Sequence, residues 1–146
     1  MAHLMSKILL VEDETKERQF LKKILQRSGY EVAEATDGRH ALRIFETFQP
    51  EIILTDLIMP ELDGLELILK IRAGDPNIPI IAFMTTARKI GLSILKFSED
   101  HGATLALAKP LTEKSLMEAL TTLSKSYKVS RPVDRDLESS DILNTR

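Results

Sequence analysis

Short apolar runs alternate along this chain with longer amphipathic stretches, five of each. Lys7 to Val11, Tyr30 to Ala33, Ile52 to Thr55, Ile80 to Phe83 and Thr104 to Ala108 read as strands. They are nearly continuous in apolar character rather than alternating, as strands covered on both faces are. The first intervening stretch sets Phe20, Leu21, Ile24 and Leu25 on one stripe and stops at Ser28-Gly29, where glycine suits a left-handed cap. Asp37-Gly38 opens a second helix with Ala41, Leu42 and Phe45 inward, ended by Gln49-Pro50. Asp63 caps a third, bearing Leu65, Ile68, Leu69 and Ile71 and closed by Gly74-Asp75-Pro76. A longer connection, Met84 to Ile90, precedes a fourth helix ending near His101-Gly102. Thr112 caps the last, where Leu116, Leu120 and Leu123 recur at helical spacing. This alternation predicts repeated βαβ units and a parallel sheet with helices on both faces, an α/β fold. The pattern fades after Ser126. Residues 6–126 therefore read as one domain, 127–146 as a flexible tail or linker, and 1–5 as a vector-derived remnant or disordered start.

Composition narrows the function classes without choosing one. The 146 residues suffice for a domain that buries about two-thirds of its unfolded surface, so neither metal nor disulfide is needed to hold it together. Cysteine is absent, which removes thiolate metal sites and cysteine nucleophiles. Twenty basic against 22 acidic residues give a net charge of −2, too balanced for a nucleic-acid or membrane field. No apolar run approaches the roughly twenty residues of a membrane span. These features lead to the expectation of a soluble, cytoplasmic protein.

Charged residues at the strand ends supply the chemistry. Glu12 and Asp13 follow the first strand, Asp56 the third, and Lys109 the fifth, while Glu14 begins the following helix. In a parallel sheet these ends share one edge. Three acids and a lysine there make a site that holds a divalent cation and brings an anionic phosphoryl group to one acid. His3, His40 and His101 are scattered, and Met5, Met59, Met84 and Met117 read as packing residues.

The segments Lys7–Glu14 and Thr55–Gly64 and the pair Lys109-Pro110 resemble the response-regulator receiver domains of two-component signalling, and their spacing extends the resemblance from Ser6 to about Ser124. The resemblance implies a doubly wound, flavodoxin-like three-layer sandwich with five parallel strands in the order 2-1-3-4-5. It implies that Asp56 accepts a phosphoryl group from a sensor histidine kinase or phosphotransfer protein. Mg²⁺ would be held by Glu12, Asp13, Asp56 and the backbone carbonyl of Ile58. Lys109 would pair with Asp56 at rest and with a phosphoryl oxygen after transfer. Such a module is no enzyme beyond catalysing its own phosphorylation and dephosphorylation. It speaks to an effector through the face of helix four, strand five and helix five, binds neither nucleic acid nor membrane directly, and leaves room for a homodimer.

Two positions depart from the family pattern. The strand-four hydroxyl falls on Met84 when counted from Pro79 and on Thr86 when counted back from Gly102, with Thr85 between them. Three residues before Lys109, where many receivers carry an aromatic ring, stands Ala106. Ile58, unable to position water, should slow hydrolysis of the acyl phosphate, and Arg88 could clash with or neutralise an incoming donor. The alternatives are a degenerate receiver that binds partners without phosphorylation, and an aspartate-nucleophile, Mg²⁺-dependent phosphatase. The latter class wants an acid where Ile58 stands.

Overall fold

A computed structural model describes residues 6–59, 61–85 and 89–127. Five parallel strands form one sheet in the order β2-β1-β3-β4-β5: β1 Lys7–Val11, β2 Glu31–Ala35, β3 Ile52–Asp56, β4 Ile80–Thr85 and β5 Leu105–Lys109. The connecting helices are α1 Thr15–Arg27, α2 Gly38–Phe48, α3 Gly64–Gly74 and α4 Lys89–Asp100, and α5 Glu113–Tyr127 follows β5. The result is the flavodoxin-like three-layer arrangement expected from the sequence.

The period of two along each strand divides the core. Ile8 and Leu10 of β1 with Ile81 and Phe83 of β4 pack against Leu21, Ile24 and Leu25 of α1 and Leu116, Leu120 and Leu123 of α5. Leu9, Val11, Ile80, Ala82 and Met84 face the other way, onto Ala41 of α2, Leu67, Ile68 and Ile71 of α3 and Leu95 of α4. Removing this apolar surface from water on both faces is what holds the sheet between two helical layers. No described helix is long and apolar enough to cross a membrane.

Helix starts follow their caps. The side chain of Glu14 accepts from the backbone N–H groups of Lys16 and Glu17, Asp37 from that of His40, and Asp63 from that of Glu66. The first of these refines the expectation for Glu14, which caps α1 from outside rather than forming its first turn.

Several strand ends differ from the apolar runs. β2 begins at Glu31 and runs to Ala35, because Tyr30 N–H instead closes α1 by donating to Leu25 O, while Glu34 points outward to Arg18 and Lys22. β3 and β5 extend one residue further, through Asp56 and Lys109, and β4 two residues further, through Thr85. Two positions in the helical stripes are corrected. Phe20 and Leu69 are about half exposed, and Leu67 fills the place expected of Leu69. The apolar stripe of each helix is wider than the arc that meets the sheet. Residues 1–5 and the tail beyond Tyr127 lie outside the described residues.

Candidate functional site at the carboxyl edge of the sheet

The β1–β3 register sets Val11 beside Thr55, so the residues that follow each, Glu12 and Asp56, emerge on the same edge. Glu12, Asp13 and Asp56 each present a carboxylate oxygen within 4.8 Å of the others. Glu12 is fully buried, Asp56 nearly so, and Asp13 is exposed. Lys109 closes the site from β5. Its Nζ lies 2.6 Å from Asp56 Oδ2 and 3.3 Å from Glu12 Oε1, and stands 5.3 Å above the Phe83 ring. The peptide bond from Lys109 to Pro110 is cis.

Local backbone contacts fix each acid. Ile58 N–H donates to Asp56 Oδ1 at 3.0 Å, while the Ile58 side chain projects into solvent. Glu14 N–H donates to Glu12 Oε2 at 2.9 Å. Arg18 on α1 reaches back to donate to the carbonyls of Glu12 and Asp13 while paired with Glu34 of β2, which ties the acidic turn to the helix that follows it. Gly64 is required by close approach: a Cβ there would overlap the Asp56 carbonyl oxygen and come within 2.7 Å of Leu57 Cα. The first residue of α3 thus presses directly on the backbone that carries Asp56.

Electrostatics at the site are dominated by crowded acids. Burial pushes the Glu12 carboxyl up to about 8; the hydrogen bond from Glu14 N–H opposes this, and the charge of Asp56 adds to it. Burial disfavours the Lys109 ammonium too, but hydrogen bonding and charge from Asp56, with contributions from Glu12 and Glu17, outweigh it and hold the lysine protonated. The donor set fits a magnesium ion. It offers hard carboxylate oxygens, two of them buried and under mutual repulsion, and Asp13 opens the cluster to solvent from which waters can complete a shell.

Glu12, Asp13, Asp56 and Lys109 are therefore brought together as the sequence suggests, and Ile58 meets them through its backbone N–H, on Asp56 Oδ1, rather than through the carbonyl expected from the sequence. Met84 is buried on the side of α2, α3 and α4, extending the apolar core to the end of β4, and Thr85 closes the strand in register with Lys109. Thr86 and Arg88 lie outside the described residues. Ala106 packs partly buried against that same core. One member escaped the sequence reading: Glu17, in the first turn of α1, whose Oε1 lies 3.1 Å from Lys109 Nζ. Its signal was faint, namely that the helix opening at the acid pair must share their edge of the sheet.

The response regulator receiver domain family matches residues 8–121. The chemotaxis protein CheY of Thermotoga maritima is 34% identical over 120 residues, which is 82% of this chain and 98% of that protein. The alkaline phosphatase synthesis transcriptional regulatory protein PhoP of Bacillus subtilis is 31% identical over 86% of this chain, which covers only 51% of its own length. Thus the chain spans nearly all of some relatives and about half of others. Among solved structures, a response regulator receiver domain protein from Clostridium thermocellum superposes with a TM-score of 0.78 at 28% identity, covering 85% of this chain and 98% of that one. The CheY4 chemotaxis response regulator of Vibrio cholerae gives 0.73 at 31% identity, covering 82% and 99%. With a strand order, an acidic cluster and a facing lysine that all agree with this match, the chain belongs to the response-regulator receiver domains of two-component signalling.

Proposed function

We propose that this domain accepts a phosphoryl group on Asp56 from a sensor histidine kinase or a phosphotransfer protein, in a Mg²⁺-dependent reaction, and relays the change to a partner or to an output domain. The observation that carries the reading is the pairing of Asp56 Oδ2 with Lys109 Nζ at 2.6 Å beside the clustered oxygens of Glu12 and Asp13. Asp56 is held on both sides, by Ile58 N–H on Oδ1 and by Lys109 on Oδ2, which orients its carboxylate for in-line attack on phosphorus. A new bond forms from a carboxylate oxygen to phosphorus as the bond from phosphorus to the donor breaks and the donor leaves. Lys109 then transfers its charge from the carboxylate to a phosphoryl oxygen. Glu12, Asp13, Asp56 and the carbonyl of Ile58 would hold the Mg²⁺, which when bound neutralises charge on the phosphoryl oxygens. Autophosphorylation from a small donor and self-dephosphorylation are the only reactions assigned.

Relay is assigned to α4, β5 and α5. Leu92 and Phe97 of α4 are about half exposed, an apolar surface suited to an effector or a second copy. Cytoplasmic placement fits the role of a kinase substrate, and a near-neutral surface fits protein rather than nucleic-acid partners.

The test is intact mass after incubation with Mg²⁺ and acetyl phosphate. The wild-type protein gains one phosphoryl group; Asp56→Asn and chelated samples gain none. Equal gain by Asp56→Asn would overturn the assignment.

A further inference from the structure

We propose that Glu17 is a positioning residue for Lys109, drawing the ammonium toward α1 so that it does not settle wholly on Glu12 and Asp56; the inference rests on the site reading above. The lysine has three N–H donors. The structure gives it three carboxylates from three elements: Asp56 at the end of β3, Glu12 after β1, and Glu17 in the first turn of α1, at 2.6, 3.3 and 3.1 Å. Two of these acids belong to the candidate metal cluster and the third does not. Glu17 therefore competes for a cation, Lys109, that also competes with a metal for Glu12 and Asp56.

The placement suits such a role. Glu17 and Lys109 keep 28% and 19% of their side-chain exposure, enough burial for the contact to outlast screening and enough exposure for either to move. Glu17 also lines an open groove with Lys109, Lys16, Phe20, Leu21 and Leu111, so the ion pair is reached from the surface on the side of α1. An acid in the first turn of a helix is favoured by the helix dipole in any case. That explanation requires no contact with a residue 92 positions away, and here there is one.

Without Glu17 the ammonium is free to collapse onto Glu12 and Asp56, and Mg²⁺ must displace it to bind. The test is Mg²⁺ binding by calorimetry on the full chain, comparing Glu17→Gln with Glu31→Gln, which removes the same charge from the opposite edge of the sheet. Glu17→Gln is expected to weaken Mg²⁺ roughly fivefold, the scale of a partly exposed ion pair, and Glu31→Gln to leave it unchanged. Repeating Glu17→Gln in a Lys109→Met background separates positioning from a direct field effect. The loss vanishes there if Glu17 acts through Lys109. An equal loss in both backgrounds, or none in either, overturns the proposal. If Lys109→Met does not fold or the wild type binds no Mg²⁺, the ammonium NMR signal of Lys109 decides: shifted in Glu17→Gln supports the proposal, unchanged overturns it. No phosphoryl donor is used, so failure of Asp56 to take a phosphoryl group would refute the reading above without touching this result.

Discussion

Along the carboxyl edge of the sheet, β1 and β3 end in charge, whereas β4 and most of β5 stay apolar. Glu12, Asp13 and Asp56 crowd within reach of one ion, pinned by Ile58 N–H, Glu14 N–H and Arg18. On the other side, Met84 is buried in the core and Ala106 packs partly buried against that same core. Only Lys109 crosses from β5 to the acids. Accepting a phosphoryl group needs fixed oxygens and a cation, whereas reporting it needs a side chain with two resting places. Among the described residues the first set of parts is assembled at the ends of β1, β3 and β5, while Met84 and Ala106 add apolar side chains to the core.

The comparison breaks most severely at its one bridge. Lys109→Met, close in volume, should slow phosphorylation by acetyl phosphate by about 10²–10³-fold, read as initial rate by intact mass, because the developing charge loses its fixed cation. Next in size is Gly64→Ala. A Cβ there meets Asp56 and Leu57 backbone that cannot yield, so urea unfolding should show a loss of about 1–3 kcal/mol together with slower phosphorylation. Ile58→Asn tests the exposed position beside Asp56: a side chain able to place water should shorten the acyl phosphate half-life about tenfold, followed by loss of mass with time.

A smaller effect concerns pH. Glu12 is raised from 4.5 to about 8 in the folded state, chiefly by burial. Its contribution to stability is therefore fully present below 4.5 and lost as pH rises through about 8. Thermal melts should fall across that window, and more gently in Glu12→Gln. Mg²⁺ affinity runs the opposite way, tightening as the carboxyl loses its proton. Smallest of all is Ala106→Tyr, which restores a ring to the apolar half. It should leave the phosphorylation rate within about twofold, since the rate depends on the acidic half alone. A large change there would show that the two halves are coupled.

The acidic half was legible in the sequence because its information is local. Ile8 to Val11 and Ile52 to Thr55 are buried runs, and the first charge after each marks the edge of the sheet. Lys109 was found the same way, although its own strand and those ending at Asp56 and Ala35 run past the apolar residues into polar ones. What was missed depends on distant contacts. Glu17 reads as an ordinary solvated helix acid until β5 brings Lys109 across to it. Phe20 and Leu69 look like core residues, but each is about half exposed, because only part of each apolar stripe meets the sheet. The end of β4 escaped for a different reason: two counts from fixed neighbours, Pro79 and Gly102, disagree there; Met84 is buried in the core, Thr85 ends the strand opposite Lys109, and Thr86 lies outside the described residues.

Reductive trapping of the acyl phosphate identifies the accepting residue. Borohydride converts a phosphorylated aspartate to homoserine, and peptide mass mapping then locates the modified residue. Conversion is expected at Asp56 alone and only with Mg²⁺ present. Conversion at Asp13 instead, or conversion at Asp56 that persists in the presence of a chelator, would contradict the assignment.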